Sequence, residues 1–167
     1  MLEDEKTQLV IKEALRMVIP SKSEKIALLD FAEKVLNIAN KIASAYNLEA
    51  ELVGSVARDT WLPNKKEIDI FIKFNKGVEE KILEERGIQI GIEIAKELNA
   101  EYVIEFAEHP YVRLFLKDYQ VDIVPCYKIE FGEKIISAVD RSPLHNKYLR
   151  GKIEKLSDQV RLLKQFL

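Results

Sequence analysis

Apolar and polar positions along the chain follow two periods, one helical and one extended. From residue 3 to 19 apolar residues recur at helical spacing and stop at Pro20. Ser21-Lys22-Ser23-Glu24 has the form of a capping box. It predicts a second helix over 24–46, whose apolar stripe includes Ile26, Leu29, Val35, Leu36, Ile42 and Ala43. Residues 49–53 predict a short first strand leading into Gly54, and a short helix over 56–61 precedes Pro63. Residues 67–74, rich in β-branched and aromatic side chains, predict the next strand. A long helical pattern runs over 78–98, with Gly87 and Gly91 in its middle. Three strands follow over 102–106, 111–116 and 120–125, the last two joined by a hairpin turn at Lys117-Asp118-Tyr119. A further short strand pair is expected around Gly132, over 129–136, and from Pro143 the pattern is helical with a break near Gly151. Together these elements predict an α+β fold, a mixed sheet of about five strands with helices packed against it.

Composition narrows the setting. The 167 residues are 47% hydrophobic and 32% charged, enough for one well-buried globular domain. A net charge of −2 carries no overall basic field, which excludes a large electrostatic footprint but leaves room for a local basic patch. The single cysteine, Cys126, excludes an intramolecular disulfide framework and fits a reducing, cytoplasmic location. The acidic start Met1-Leu2-Glu3-Asp4-Glu5 is not the n-region of a signal peptide. No apolar run approaches the roughly 20 residues of a membrane span. Residues 158–167 read as an amphipathic helix without a C-cap, so the chain is expected to be the N-terminal piece of a longer protein.

The chemistry is carried by Gly54-Ser55, then eleven residues, then Glu67-Ile68-Asp69. Two carboxylates one residue apart on a strand share a face, because side chains alternate with period two. Like charges in that position on a buried strand call for a cation between them. The Gly-Ser turn, opening Ser55-Val56-Ala57-Arg58, offers backbone N–H groups to an anionic phosphate. A third carboxylate, Asp122, interrupts the apolar run Val121-Asp122-Ile123-Val124-Pro125. Three oxygen donors suit two hard cations, about 3.5–4 Å apart, clamping a phosphoryl displacement from both ends.

These residues resemble the nucleotidyltransferase superfamily of DNA polymerase β, and more closely the archaeal (class I) CCA-adding tRNA nucleotidyltransferases. Five blocks carry the resemblance in order: Gly54–Trp61, Glu67–Phe71, Ala107-Glu108-His109-Pro110-Tyr111, Val121–Tyr127 and Ala138–His145. It covers nearly the whole chain. The resemblance implies a polymerase-β-like fold and a catalytic head over residues 1–150. It further implies that 151–167 begins a truncated helical neck. Glu67, Asp69 and Asp122 match the family's catalytic, metal-binding carboxylates, for two Mg2+ ions. Gly54, Ser55 and Arg58 match its nucleotide-binding turn, with Ser55 and Arg58 on the triphosphate. Ser142 and His145 match positions near the phosphates and sugar, and Lys164 matches a phosphate-contacting lysine. The implied partners are CTP, ATP and the tRNA 3′ end, and full-length members are often homodimers. Ser142 stands where the family commonly has Thr, which keeps the hydroxyl. Val56 replaces a more usual Tyr or Thr, with no evident consequence.

Each motif also has a plainer reading. Glu67 and Asp69 could be a solvated edge, where acids discourage strand pairing. Asp122 could be a buried acid bonded to a helix start, and Arg58 could pair with an acid of its own helix. His145 could simply open a helix, while His109 and Trp61 read as structural. Cys126 reads as a small buried apolar residue. Other functions in view are a poly(A) polymerase, a small-molecule nucleotidyltransferase, or a non-catalytic nucleotidyltransferase-like regulatory module. Asp140-Arg141-Ser142-Pro143-Leu144-His145 speaks against the first two, and the intact three carboxylates against the third.

Overall fold

The computed structural model describes residues 2–167, with side chains from residue 5 onward. Two long helices, α1 (Leu2–Val18) and α2 (Lys22–Ser44), open the chain. The predicted capping box divides them: Ser21 Oγ accepts from the Glu24 N–H at 3.2 Å, and Glu24 Oε2 accepts from the Ser21 N–H at 2.8 Å. Then follow β1 (Glu49–Val53), α3 (Gly54–Ala57), β2 (Glu67–Phe74), α4 (Glu80–Glu97), β3 (Glu101–Phe106), β4 (Pro110–Leu116), β5 (Tyr119–Tyr127), α5 (Arg141–Leu149) and α6 (Ser157–Phe166).

The five strands make one mixed sheet in the order β1-β2-β5-β4-β3, with β2 and β5 parallel and the other neighbours antiparallel. The phase of β2 decides what each face does. Ile68, Ile70, Ile72 and Phe74 are buried in the main core with Leu28, Val35 and Ala39 of α2 and Leu83, Ile90 and Ile94 of α4. The odd-numbered residues Glu67, Asp69, Phe71 and Lys73 therefore face the other way. On that face Phe71, Val124, Cys126 and Val53 form a second, smaller apolar cluster. The exposed side of β1 is plugged by two asparagines. Asn40 Oδ1 accepts from the Ala50 N–H at 2.9 Å, and Asn146 Nδ2 donates to the Leu52 carbonyl at 3.3 Å.

Gly87 and Gly91, which weaken a helical pattern on propensity alone, turn out to be packing positions in an unbroken α4. A Cβ on Gly87 would meet Pro125 Cβ at 2.6 Å, and one on Gly91 would meet Val112 Cγ2 at 2.5 Å. The glycines let α4 lie directly on β4 and β5.

Three expectations need correction. The expected strand pair over 129–136 does not form; that stretch is an irregular loop, held by Lys147–Glu130 at 2.9 Å and by Lys76–Glu133. The short helix is α3 at Gly54–Ala57, two residues earlier than expected, and residues 58–61 leave it in a turn with Asp59 at φ 50°. The β4–β5 hairpin turns on two residues, Lys117 and Asp118, with Lys117 at φ 51°. Tyr119 already belongs to β5 and pairs with Leu116. That difference moves the register by one position on one strand and decides which residue faces Asp122.

Candidate active site

β2 is a central strand, so Glu67 and Asp69 do not form a solvated edge. Asp69 is the register partner of Asp122 on the neighbouring parallel strand, and of Val53 on β1. Strand phase thus sets Glu67, Asp69 and Asp122 on one face, the one turned away from α2 and α4. The chain after Val53 turns sharply onto Asp69. Gly54 has φ 75°, and a Cβ there would lie 1.8 Å from Asp69 Oδ2. Only glycine accommodates both that backbone and that carboxylate.

Asp69 has no ion-pair partner within 4.0 Å among the described residues. Burial, and behind it the charges of Asp122 and Glu67, pushes its carboxyl up to about 6. A buried carboxylate whose proton affinity is raised by neighbouring carboxylates is a common feature of cation sites. The donor set is all oxygen, which suits a hard divalent ion such as Mg2+. Glu67, Asp69 and Asp122 share this face, but their ligand atoms do not all gather within 4.8 Å of one another as placed.

Arg58 and Lys164 converge on the same carboxylate. Arg58 makes no hydrogen bond or ion pair among the described residues; its pairing with an acid of its own helix is not realised. Burial lowers its proton affinity and the Asp69 charge opposes that. Lys164 arrives from α6 and donates to the Thr60 carbonyl at 3.0 Å. Its proton affinity is lowered by burial and then by the nearby Arg58 and Arg161. Ser55 begins the turn beside Gly54. Ser142 and His145 lie on α5, which packs against β1 and α3; neither makes a hydrogen bond to the three carboxylates. The structure thus gathers Gly54, Ser55, Arg58, Glu67, Asp69, Asp122 and Lys164, with Ser142 and His145 on a flanking helix. A cavity of about 600 Å3 between α5, α2 and β1 borders this site only through Ala57 and Arg58.

Two residues at the site were not picked out from the sequence. Arg113 lies opposite Asp122 on β4 and grips it with both arms, Nε to Oδ1 and Nη2 to Oδ2, each at 2.9 Å. The same guanidinium donates to Glu105 at 3.2 Å and to the Tyr111 hydroxyl at 2.7 Å. Asp122 is thus bound by a neighbouring strand, not by a helix start. Counting back from a two-residue turn would have found Arg113; a three-residue turn puts Leu114 there instead. The second is Arg161, buried beneath the turn after Arg58. Nothing in a basic residue one turn before Lys164 marks it as buried.

The plainer readings hold elsewhere. Trp61 is core, 2% exposed. Cys126 is fully buried, and burial pushes its thiol well above the ordinary range. His109 is buried with Nδ1 3.3 Å from Glu84 and 3.5 Å from Glu80. Those three residues present ligand atoms within 4.8 Å of one another and could hold a metal, but His109 packs edge-on to Tyr127 at the far end of β5 from Asp122.

A carboxylate set on two central parallel strands, roofed by a Gly-Ser turn and flanked by cations, defines a nucleotidyltransferase of the polymerase-β-like fold. Solved structures agree on the fold. The RNA terminal uridylyl transferase Cid1 superposes with a TM-score of 0.65 at 15% identity, over 97% of this chain and 45% of that one. CdnC of E. coli MS115-1, solved with ATP, superposes with a TM-score of 0.62 at 19% identity, over 92% of this chain and 55% of that one. Residues 32–145 match the nucleotidyltransferase domain, and the chain belongs to that family. Its sequence is 50% identical over 163 residues to the CCA-adding enzyme of Methanocaldococcus jannaschii, and 40% identical over 162 residues to that of Archaeoglobus fulgidus. These matches take in 95% and 97% of this chain but only 36% and 35% of those proteins, in each case their N-terminal part. No helix among the described residues is long and apolar enough to cross a membrane.

Proposed function

We propose that this chain is the catalytic head of an archaeal-type CCA-adding enzyme, acting in the cytoplasm on tRNA 3′ ends with CTP and ATP. The observation that carries the reading is the set Glu67, Asp69 and Asp122 on one face of β2 and β5, with Gly54 pressed against Asp69. In the proposed reaction a tRNA 3′-hydroxyl attacks the α-phosphorus of the nucleotide and pyrophosphate leaves. Glu67, Asp69 and Asp122 would hold two Mg2+ ions, which supply charge neutralisation and acidify the attacking hydroxyl. Ser55, Arg58 and Lys164 would bind the triphosphate, while Ser142 and His145 on α5 would approach it from the side. Asp122 would orient the hydroxyl and take its proton, its side chain fixed by the Arg113 fork. Catalysis on this plan is positioning and charge stabilisation, with no covalent enzyme intermediate.

Residues 151–167 would begin the neck of the longer protein, and base selection is expected beyond Leu167. The 167-residue chain should then bind CTP and ATP with similar affinity in Mg2+. A tenfold preference for one base would count against that division of labour. The full-length protein carrying Asp69→Asn, given tRNA without its CCA end and labelled CTP, should incorporate no label. Substantial incorporation would refute the assignment of the carboxylates.

A further inference from the structure

Arg161 is a charged side chain with no exposed surface. Its Nε donates to the Trp61 carbonyl at 3.1 Å, its Nη2 to both the carbonyl and Oδ1 of Asp59, and its Nη1 to Asp158 at 2.7 Å. One turn later, Lys164 donates to the Thr60 carbonyl. Three consecutive carbonyls, those of residues 59, 60 and 61, are thereby held by one helix. From the other side Lys25 of α2 grips Asp59 Oδ2 at 2.9 Å. Asp59 has a left-handed backbone at φ 50°, which a non-glycine residue keeps only where its surroundings impose it.

Burying a guanidinium is costly, and an apolar side chain of similar size docks a helix at least as well. What an apolar side chain cannot do is fix the direction of two peptide groups, those of Asp59 and Trp61, on either side of the carbonyl that Lys164 holds. Those peptide groups follow directly on Arg58, whose guanidinium is left without a partner, and the helix that holds them carries Lys164. We propose that Arg161 is a positioning residue that locks the 58–61 turn to α6, so that Arg58 and Lys164 stand together beside Asp69 as a preformed triphosphate cradle. The burial that lowers the proton affinity of both cations, and the mutual repulsion that lowers that of Lys164, fit a cradle awaiting an anion. The inference rests on the triphosphate reading of Arg58 and Lys164 above.

Two titrations of the 167-residue chain separate the possibilities: ATP with Mg2+ by calorimetry, and Mn2+ alone by electron paramagnetic resonance. Trp61, the one tryptophan of the chain, reports the packing of the turn by its fluorescence. For Arg161→Met the expectation is at least a tenfold loss of ATP affinity with Mn2+ affinity within twofold of the parent. Unchanged ATP affinity in a folded variant overturns the proposal, as does an equal loss of Mn2+ and ATP affinity. Should Arg161→Met fail to fold, Arg161→Lys carries the test. Lysine reaches one acceptor but cannot span the carbonyls of both Asp59 and Trp61, so a threefold or greater loss of ATP affinity with Mn2+ retained is expected, and equal ATP affinity overturns the proposal. If the parent chain binds Mn2+ but no ATP, the triphosphate reading falls and this one with it. If it binds neither, the carboxylate site itself is misassigned.

Discussion

Replacing Asp69 by Asn should stabilise the metal-free protein at neutral pH. The carboxyl is displaced from 3.8 to about 6 by burial and by the neighbouring Asp122 and Glu67. A raised carboxyl means that the folded chain keeps a proton which the unfolded chain has already released. This group's contribution is fully favourable below pH about 4, declines as pH rises through about 6, and is lost above it. A displacement of about two units corresponds to about 3 kcal/mol. Asn has the same shape and no charge to confine. In chelator at pH about 7.5, Asp69→Asn should therefore unfold with up to about 3 kcal/mol more resistance than the parent, or melt roughly 6–12 °C higher for a chain of this size. The gap should close as pH falls and vanish below about pH 4. Excess Mn2+ should reverse the order, because the parent gains a bound ion that the variant lacks a ligand for. Urea denaturation across pH 4–8, with and without Mn2+, reads all of this. A gap that does not change with pH, or a less stable Asn variant in chelator, would show that Asp69 is not under electrostatic pressure.

Four further substitutions test the packing in and around the site. Gly54→Ala puts a methyl 1.8 Å from Asp69 Oδ2 at φ 75°, and should cost about 2 kcal/mol or more and abolish Mn2+ binding; a variant with parental Mn2+ affinity would contradict the close approach. Arg113→Gln leaves Asp122 without its fork, and urea denaturation should register a loss of about 1–3 kcal/mol, against which an unchanged midpoint would argue. Gly87→Ala and Gly91→Ala should each destabilise by about 1–3 kcal/mol through contact with Pro125 and Val112. This runs against helix propensity, which favours Ala by about 1 kcal/mol, so a more stable variant would mean that α4 stands off the sheet.

Most of the elements were legible because their signals are local. The Ser21–Glu24 box, the period-two run of β2 and the Gly54-Ser55 turn depend on residues close in sequence, and each forms where the pattern puts it or within two residues. The errors fell where local preference was weak. Residues 129–136 have β-branched and aromatic character, but they find no strand to pair with; ion pairs to Lys76 and Lys147 hold them as a loop instead. At the β4–β5 turn, composition does not choose between two residues and three, and that choice exchanges Arg113 for Leu114 opposite Asp122.

The carboxylates, the turn and the strand phase that puts Glu67 and Asp69 on one face were determined by the sequence itself, since alternation along a strand needs no partner. Which face is turned away from α2 and α4 was decided only in the folded molecule, where they cover the even-numbered side of β2. The pairing of Asp69 with Asp122, more than fifty residues apart, rests on a parallel register that chain order alone does not supply. The same is true of Arg161, whose carbonyl acceptors lie about a hundred residues upstream. A buried charge is recognised by its acceptors, and those are brought to it by the packing of α6 on the rest of the domain.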